Sequence, residues 1–309
     1  MTRLTNGWKV VRLDSNKSYK RAMLSEPVNI QALTTVHNRC GMTLKCIRTL
    51  LKARPDFVRL KITVVDDGST DETAKRLQEE FPDIEIVSGN GQLFWAGGMR
   101  FGFERLSATD YDFLLVFNDD TVFYENVFEI LLGTAGPLGN SIAVGRICSC
   151  KQKTKLIYGP VRRFSWHPLR FRGIEIHDSN QIIDTFNMNA VLIPVSVIRK
   201  IGFIAREFTH SKGDFEFGLR AKKQNISVEA TAVYVGCSEL NPQKSMDSYI
   251  GDNLKKTLHI LNEPKNHPFN ERFYYFRLHG GPLWFILLLA PYIKFLVLFV
   301  LKKFWRSIH

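Results

Sequence analysis

The first 24 residues of this chain contain no apolar stretch; Met1 to Leu24 is polar and charged, so no secretory leader is expected there. Cysteine is scarce, five in 309 residues, and no two are spaced as a CxxC pair. An odd count without paired spacing argues against a disulfide framework, and Cys148-Ser149-Cys150 is too tight to form a zinc knuckle alone. Unpaired thiols in a reducing compartment are therefore expected. There is no internal repeat and no low-complexity tract. Nor is there a long run of like charge: Lys and Arg outnumber Asp and Glu by 42 to 30, but the excess of +12 is dispersed. Its local peak, Lys302, Lys303 and Arg306, lies beside a greasy segment, which favours anionic lipid over nucleic acid; a nucleoside diphosphate is the other polyanion to consider. At 45% hydrophobic and 23% charged residues, a disordered chain is excluded.

What is present is dominated by two acidic clusters at the ends of apolar runs. One is Val64-Val65-Asp66-Asp67-Gly68-Ser69-Thr70-Asp71; the other is Leu114-Leu115-Val116-Phe117-Asn118-Asp119-Asp120. Adjacent carboxylates repel, so a fold that gathers them usually sets a cation or hydrogen-bond donors between them. Apolar strands are predicted at 28–33, 61–65, 84–87 and 113–117, separated by helices at 42–54, through Glu80, and after the Trp95–Arg100 stretch to about Leu106. This alternation predicts a parallel, doubly wound sheet, with both clusters on the edge where such sheets bind ligands. Further strands are expected near 188–194 and 227–235, around a helix at 213–224.

The order Thr34-Thr35-Val36-His37-Asn38-Arg39, Val-Val-Asp-Asp-Gly-Ser-Thr-Asp, Phe-Asn-Asp-Asp, then Gly213-Asp214-Phe215-Glu216 resembles the family 2 glycosyltransferases over roughly residues 28–240. It is closest to bacterial members that build surface polysaccharides such as O-antigen, including rhamnosyltransferase-like proteins. The resemblance implies an α/β fold of GT-A type: a Rossmann-like, mostly parallel central sheet flanked by helices. It implies that Asp67 accepts the imide N–H of a uracil or thymine base, with Thr35 and His37 flanking the base and Arg39 meeting the diphosphate. Asp119 would face the ribose, and Asp120 would ligate Mg²⁺ or Mn²⁺, with Asn118 a weaker ligand in place of an acid. Asp214 would be the general base of an inverting transfer. A carboxylate suits each task, as acceptor for a donor group, hard oxygen ligand, or base in a dry site. Asp66 and Asp71 are expected to serve turns and caps instead. Gly97, Gly98 and Arg100 are expected at a helix N-terminus, where close backbone approach and a positive charge suit a sugar-nucleotide; a tight strand-to-helix turn is the competing reading. Where relatives often carry a diphosphate-binding His, after the strand ending at Tyr234-Val235, this chain has Gly236-Cys237-Ser238. His210 and His279 are the remaining candidates, although a surface or core role suits either.

Leu283 to Leu301 is the most apolar window and is long enough to span a bilayer. Pro291 and Lys294 interrupt it, and basic residues flank both ends, so a kinked helix or helical hairpin lying in the inner leaflet is expected, with a span or a buried packing helix as alternatives. The predicted layout is an extension over 1–27, a GT-A domain over 28–245, and C-terminal helices over 246–309 with an anchor at 283–306. The expected protein is a metal-dependent transferase on the cytoplasmic face of the membrane. It would take a nucleotide-diphosphate sugar (UDP- or dTDP-linked) and a lipid-linked glycan acceptor, with no nucleic acid. A nucleotidyltransferase should carry a Gly-rich, Lys- or Arg-bearing loop after its first strand, which Thr34–Arg39 lacks; a non-catalytic scaffold on this fold should have lost the metal or base carboxylate.

Overall fold

The computed structural model describes residues 27–106, 111–136, 139–164, 169–175, 182–240 and 254–308. The N-terminal extension, apart from Pro27, lies outside these residues. Strand β1 (Val28–Val36) is buried almost throughout, as befits an inner parallel strand covered on both faces. Helix α1 (Cys40–Lys52) turns Leu44, Ile47 and Leu50 to the core. Next come β2 (Val58–Asp66), α2 (Thr73–Glu80), β3 (Glu85–Ser88), α3 (Phe94–Leu106), β4 (Phe113–Phe117), β5 (Val122–Phe123) and α4 (Val127–Ala135). The second half contains β6 (Ile142–Ser149), β7 (Leu156–Tyr158), β8 (Pro160–Arg163), β9 (Phe171–Gly173), β10 (Thr185–Phe186), β11 (Ala190–Pro194), α5 (Val195–Ile201), α6 (Gly213–Lys223) and β12 (Val228–Ser238). Helices α7 (Leu254–Leu261), α8 (Phe269–His279) and α9 (Trp284–Ile308) follow.

The main sheet runs β3-β2-β1-β4-β11-β6-β12-β5, with β7 beside β6; β8, β9 and β10 form a small separate sheet. Side chains alternate between its two faces. Leu115 and Phe117 of β4 pack with Ile47, Leu77 and Phe128 from α1, α2 and α4. Leu114 and Val116 pack on the other face with Met99, Val197, Phe217 and Tyr275 from α3, α5, α6 and α8.

The α/β architecture and the mostly parallel central sheet are the expected ones: β3, β2, β1, β4, β6 and β12 run in one direction, and β11, β5 and β7 run against them. Strands β3, β2, β1 and β4 are parallel, whereas β11 enters antiparallel between β4 and β6. The chain reaches β11 through short strands on one side of the sheet, not through a crossover helix, so nothing enforces parallel entry. The thiol expectation is corrected: Cys150 and Cys237 form a disulfide, leaving Cys40, Cys46 and Cys148 free. Its partners are 87 residues apart in sequence and meet because β12 runs beside β6, a neighbourhood no local spacing reveals. At the C-terminus, α9 is one continuous helix through Pro291, not a hairpin. It is the one helix among the described residues long and apolar enough to cross a membrane, and only 11% of its Trp284–Leu301 stretch is buried.

Candidate active site

Parallel pairing of β1 with β2 and β4 brings the carboxyl ends of all three strands to one edge. Asp67, just past β2, is almost fully buried. Its Oδ1 accepts the Gly91 N–H at 2.8 Å and its Oδ2 accepts the Phe94 N–H at 2.8 Å. These bonds fix the β3–α3 loop, and they coincide with a positive φ of 54° at Phe94, a conformation that costs an aromatic residue energy and persists only where its surroundings impose it. The Asp67 carbonyl lies 2.7 Å from His37 Nδ1, while His37 Nε2 faces Asn38 Nδ2 at 3.2 Å, so Nδ1 carries the proton. Asp66 accepts the Ser69 N–H in a turn, and Asp71 accepts N–H groups from Cys40 and Thr73.

At the end of β4, Arg39 Nη1 bridges Asp119 at 3.1 Å and Asp120 at 3.2 Å. Burial opposes the charge on Arg39, but the two carboxylates outweigh it and hold its pKa above the ordinary value. Burial pushes Asp119 up to about 6; Arg39 pulls against this shift and Asp120 adds to it. Asn118 Oδ1 accepts the Trp95 indole N–H at 2.9 Å, which couples this edge to the first turn of α3.

The glycine pair sits differently from its expected place. Because α3 starts at Phe94, Gly97 and Gly98 lie inside the helix. A Cβ on Gly98 would stand 2.4 Å from Thr35 Cγ2, so Gly98 is what lets α3 lie against β1, with Thr35 between them. Gly97 N–H donates to the Thr209 carbonyl at 3.1 Å, and Arg100 Nη1 donates to the carbonyls of Ala205 and Phe208. Arg100 therefore braces the 205–212 loop. Glu271 of α8 braces it from the other side, accepting the Thr209 N–H at 2.8 Å.

That loop ends at Lys212, whose φ of 67° is again positive, and delivers Asp214 into the first turn of α6. Asp214 accepts the Phe215 N–H at 2.7 Å and a bond from the Asn187 side chain. Burial raises its pKa; Lys212 and the hydrogen bonds only partly offset this. Burial in turn lowers the pKa of Lys212, against the pull of Asp214. His210, edge-on to Phe94, has its Nδ1 buried with no hydrogen-bond partner. Its pKa is lowered by burial, then by the charges of Lys265 and Arg39. His267 lies 2.8 Å from the Ser211 hydroxyl and is pushed down to about 3 by burial, then by Lys212, Arg272 and His210. Two neutral histidines among crowded cations describe a site prepared for an anion. His279 sits elsewhere, 3.8 Å from the fully buried Glu216, which also holds Arg220 at 2.9 Å.

Asp119 and Asp120 offer hard oxygen donors, and the adjacent Cys46 thiol, which donates to the Asn118 carbonyl at 3.4 Å, is kept protonated by burial and by the two carboxylates; the oxygen set suits Mg²⁺ or Mn²⁺ when phosphate oxygens and water complete the shell. The described residues contain no group of three or more acidic, His or Cys side chains that would hold a cation without such help. Asn187, Lys212 and His267 were not foreseen from sequence. Asn187 and Lys212 lie in unpatterned loops, and His267 comes from the C-terminal segment.

The sequence profile described as Glycosyl transferase family 2 matches residues 32–201, more than half of the chain. No curated protein sequence matches it. Among solved structures, a mannosyltransferase from Pyrobaculum calidifontis, in complex with GDP-Man and Mn²⁺, superposes with a TM-score of 0.52 at 11% identity. The match covers 88% of this chain and 70% of that one. TarS from S. aureus gives 0.52 at 13% identity, covering 81% of this chain but only 43% of TarS. The TarS 1–349 fragment in complex with UDP gives 0.51 at 13% identity, covering 81% and 71%. At these identities the likeness establishes the GT-A fold.

Proposed function

Since this chain belongs to glycosyl transferase family 2, we propose that it is an inverting transferase moving a sugar from a UDP- or dTDP-sugar to a glycan hydroxyl. The carrying observation is the placement of Asp214: a carboxylate buried enough to hold its proton affinity up, fixed by Asn187 and the Phe215 N–H, and bordered by the cationic cluster that runs to Arg39. A base with a raised pKa is matched to taking a proton from a hydroxyl near neutral pH.

In this reading the base of the donor lies against Asp67, whose two backbone bonds leave lone pairs for an imide N–H. Thr35 and His37 flank it, and Asp119 meets the ribose. A divalent cation held by Asp120, with Asn118 nearby, would supply Lewis-acid stabilisation of the departing diphosphate. Arg39, Lys212, His210 and His267 line the path of that negative charge. Asp214 takes the acceptor proton as the hydroxyl oxygen bonds to the anomeric carbon and the carbon–diphosphate bond breaks, so the configuration inverts. Support for nucleotide and cation comes from the structural neighbours, one holding GDP-Man and Mn²⁺ and another UDP.

The exposed apolar flank of α9 and its basic end support docking on the inner leaflet, next to a lipid-linked acceptor of surface-polysaccharide synthesis. The disulfide pulls against a reducing compartment; titration of chain quenched directly from cells, three free thiols or five, decides the side. The test of function is calorimetry with UDP, dTDP and GDP, with and without Mn²⁺. UDP or dTDP binding that tightens with Mn²⁺ in the native protein but not in Asp120→Ala is expected; transfer that is indifferent to chelator overturns the cation assignment.

A further inference from the structure

The side-chain nitrogen of Asn189 is buried and has no hydrogen-bond partner, in a residue only 3% exposed. An unpaired N–H in that position costs the folded state and requires an explanation. Its surroundings supply one. Asn189 immediately precedes β11, and its carbonyl accepts the Asn118 N–H at 3.3 Å and the Thr121 hydroxyl at 3.4 Å. The first of these bonds extends by one step the register that pairs Ala190 with Phe117, so Asn189 stands opposite Asn118, next to Asp119 and Asp120. Opposed side chains of an antiparallel pair share a face. Here it is the face of α3 and α6: Trp95 of α3 donates its indole N–H to Asn118 Oδ1 at 2.9 Å, and Val191, two residues after Asn189, packs with Met99 and Phe217. Because an indole N–H can only donate, Asn118 meets it with its oxygen and keeps its NH₂ group for another partner.

The same short segment reaches the carboxylate of α6. Asn187, two residues before Asn189, bonds the Asp214 side chain, and its own N–H donates to the Gly159 carbonyl at 3.0 Å, which anchors the segment. Residues 187–189 therefore run from Asp214 at one end to the Asn118–Asp120 turn at the other. A donor sugar has to lie between those two places. Its anomeric carbon is joined to the diphosphate on one side and is attacked on the other by the hydroxyl that gives up its proton. A sugar held in that way passes over Asn189.

We propose that Asn189 selects the donor sugar: its side-chain N–H donates to a hydroxyl on the sugar ring, with the Asn118 NH₂ beside it as a second donor. The inference rests on the transferase reading. A neutral amide suits a neutral hydroxyl, whereas the charged oxygens of the diphosphate have Arg39 and a cation to meet them. A buried donor of this kind discriminates strongly, because a sugar without a hydroxyl at that position leaves the N–H unpaired again. The orphaned nitrogen of the free protein is then the cost of that selectivity, relieved when the right sugar binds.

The experiment is calorimetry on the full chain in Mn²⁺ with UDP and dTDP, and with UDP-glucose, UDP-galactose, UDP-N-acetylglucosamine, dTDP-glucose and dTDP-rhamnose. Native protein should favour at least one of the sugar nucleotides over the others on the same base by about tenfold or more. Asn189→Leu, which keeps the branched shape without the N–H, should weaken the favoured one by about tenfold and bring the others level with it to within about threefold. UDP and dTDP, which carry no sugar, should bind this variant within about twofold of native. Asn189→Ala adds no bulk, so it answers the same question if leucine does not fit, and it should lose the same preference. Native protein that binds UDP but treats all the sugars alike overturns the proposal. So does a preference that survives in both variants, or a loss of UDP affinity in step with the loss for the sugar nucleotide, which would make Asn189 a structural residue. Native protein that binds none of the seven ligands overturns the transferase reading, and this inference with it.

Discussion

Gly98→Ala is the substitution for which the structure makes the sharpest demand. The added methyl would stand 2.4 Å from Thr35 Cγ2, 2.7 Å from Thr35 Oγ1 and 3.1 Å from Thr35 Cβ. Thr35 is β-branched, so rotation about χ1 leaves a heavy atom in the way, and its Cβ cannot move without β1. Helix α3 must therefore shift away from β1, an overpacking that costs about 1–3 kcal/mol. In a domain of this size that lowers Tm by roughly 2–10 °C. Gly133→Ala, on the exposed side of α4, is the control: nothing lies within 4 Å of the new methyl, and the helix gains about 0.5–1 kcal/mol. Thermal unfolding followed by tryptophan fluorescence should show opposite signs for these chemically identical changes. Calorimetry should show weaker UDP binding for Gly98→Ala only, because Thr35 is displaced. A neutral or stabilising Gly98→Ala would refute the packing of α3 on β1 and with it the placement of the nucleotide edge.

Two further predictions concern the supporting groups. His267 has a folded pKa of about 3 against an ordinary value near 6.5. The unfolded chain takes up that proton first, so stability is full above pH 6.5 and is lost as pH falls towards 3. His267→Gln should recover on the order of 1–2 kcal/mol of this loss at pH 5, discounted for partial exposure. An unchanged slope of urea stability between pH 7 and 5 would rule out the buried neutral imidazole. Arg220→Met leaves the fully buried Glu216 carboxylate with only His279, 3.8 Å away, and should cost about 3–5 kcal/mol in urea unfolding, much of it restored by adding Glu216→Gln. A single-variant loss under 1 kcal/mol contradicts the pairing.

The sequence exposed those parts of the molecule whose signals are local. Continuous apolar runs announced β1, β2 and β4, and the acids that follow them announced the ligand edge, because chain order and sheet geometry coincide there. The Asp66 and Asp71 turns were legible for the same reason. Long-range features were not. The antiparallel entry of β11 depends on which gap in the sheet is open, and the Cys150–Cys237 bond depends on β12 lying beside β6. The start of α3 was misplaced because Asp67, 27 residues earlier, captures the Phe94 N–H and begins the helix there. His267 reaches the site from beyond a fold already closed by β12, and no spacing relates it to Asp214.

The central claim is that Asp214 removes the acceptor proton. Its most direct test is Asp214→Asn, with UDP affinity and transfer rate measured on the same preparation. UDP binding within about twofold of native, with turnover reduced by roughly 10²–10⁴-fold, is the predicted result. Turnover within about tenfold of native, or turnover and UDP binding lost together, would contradict the account.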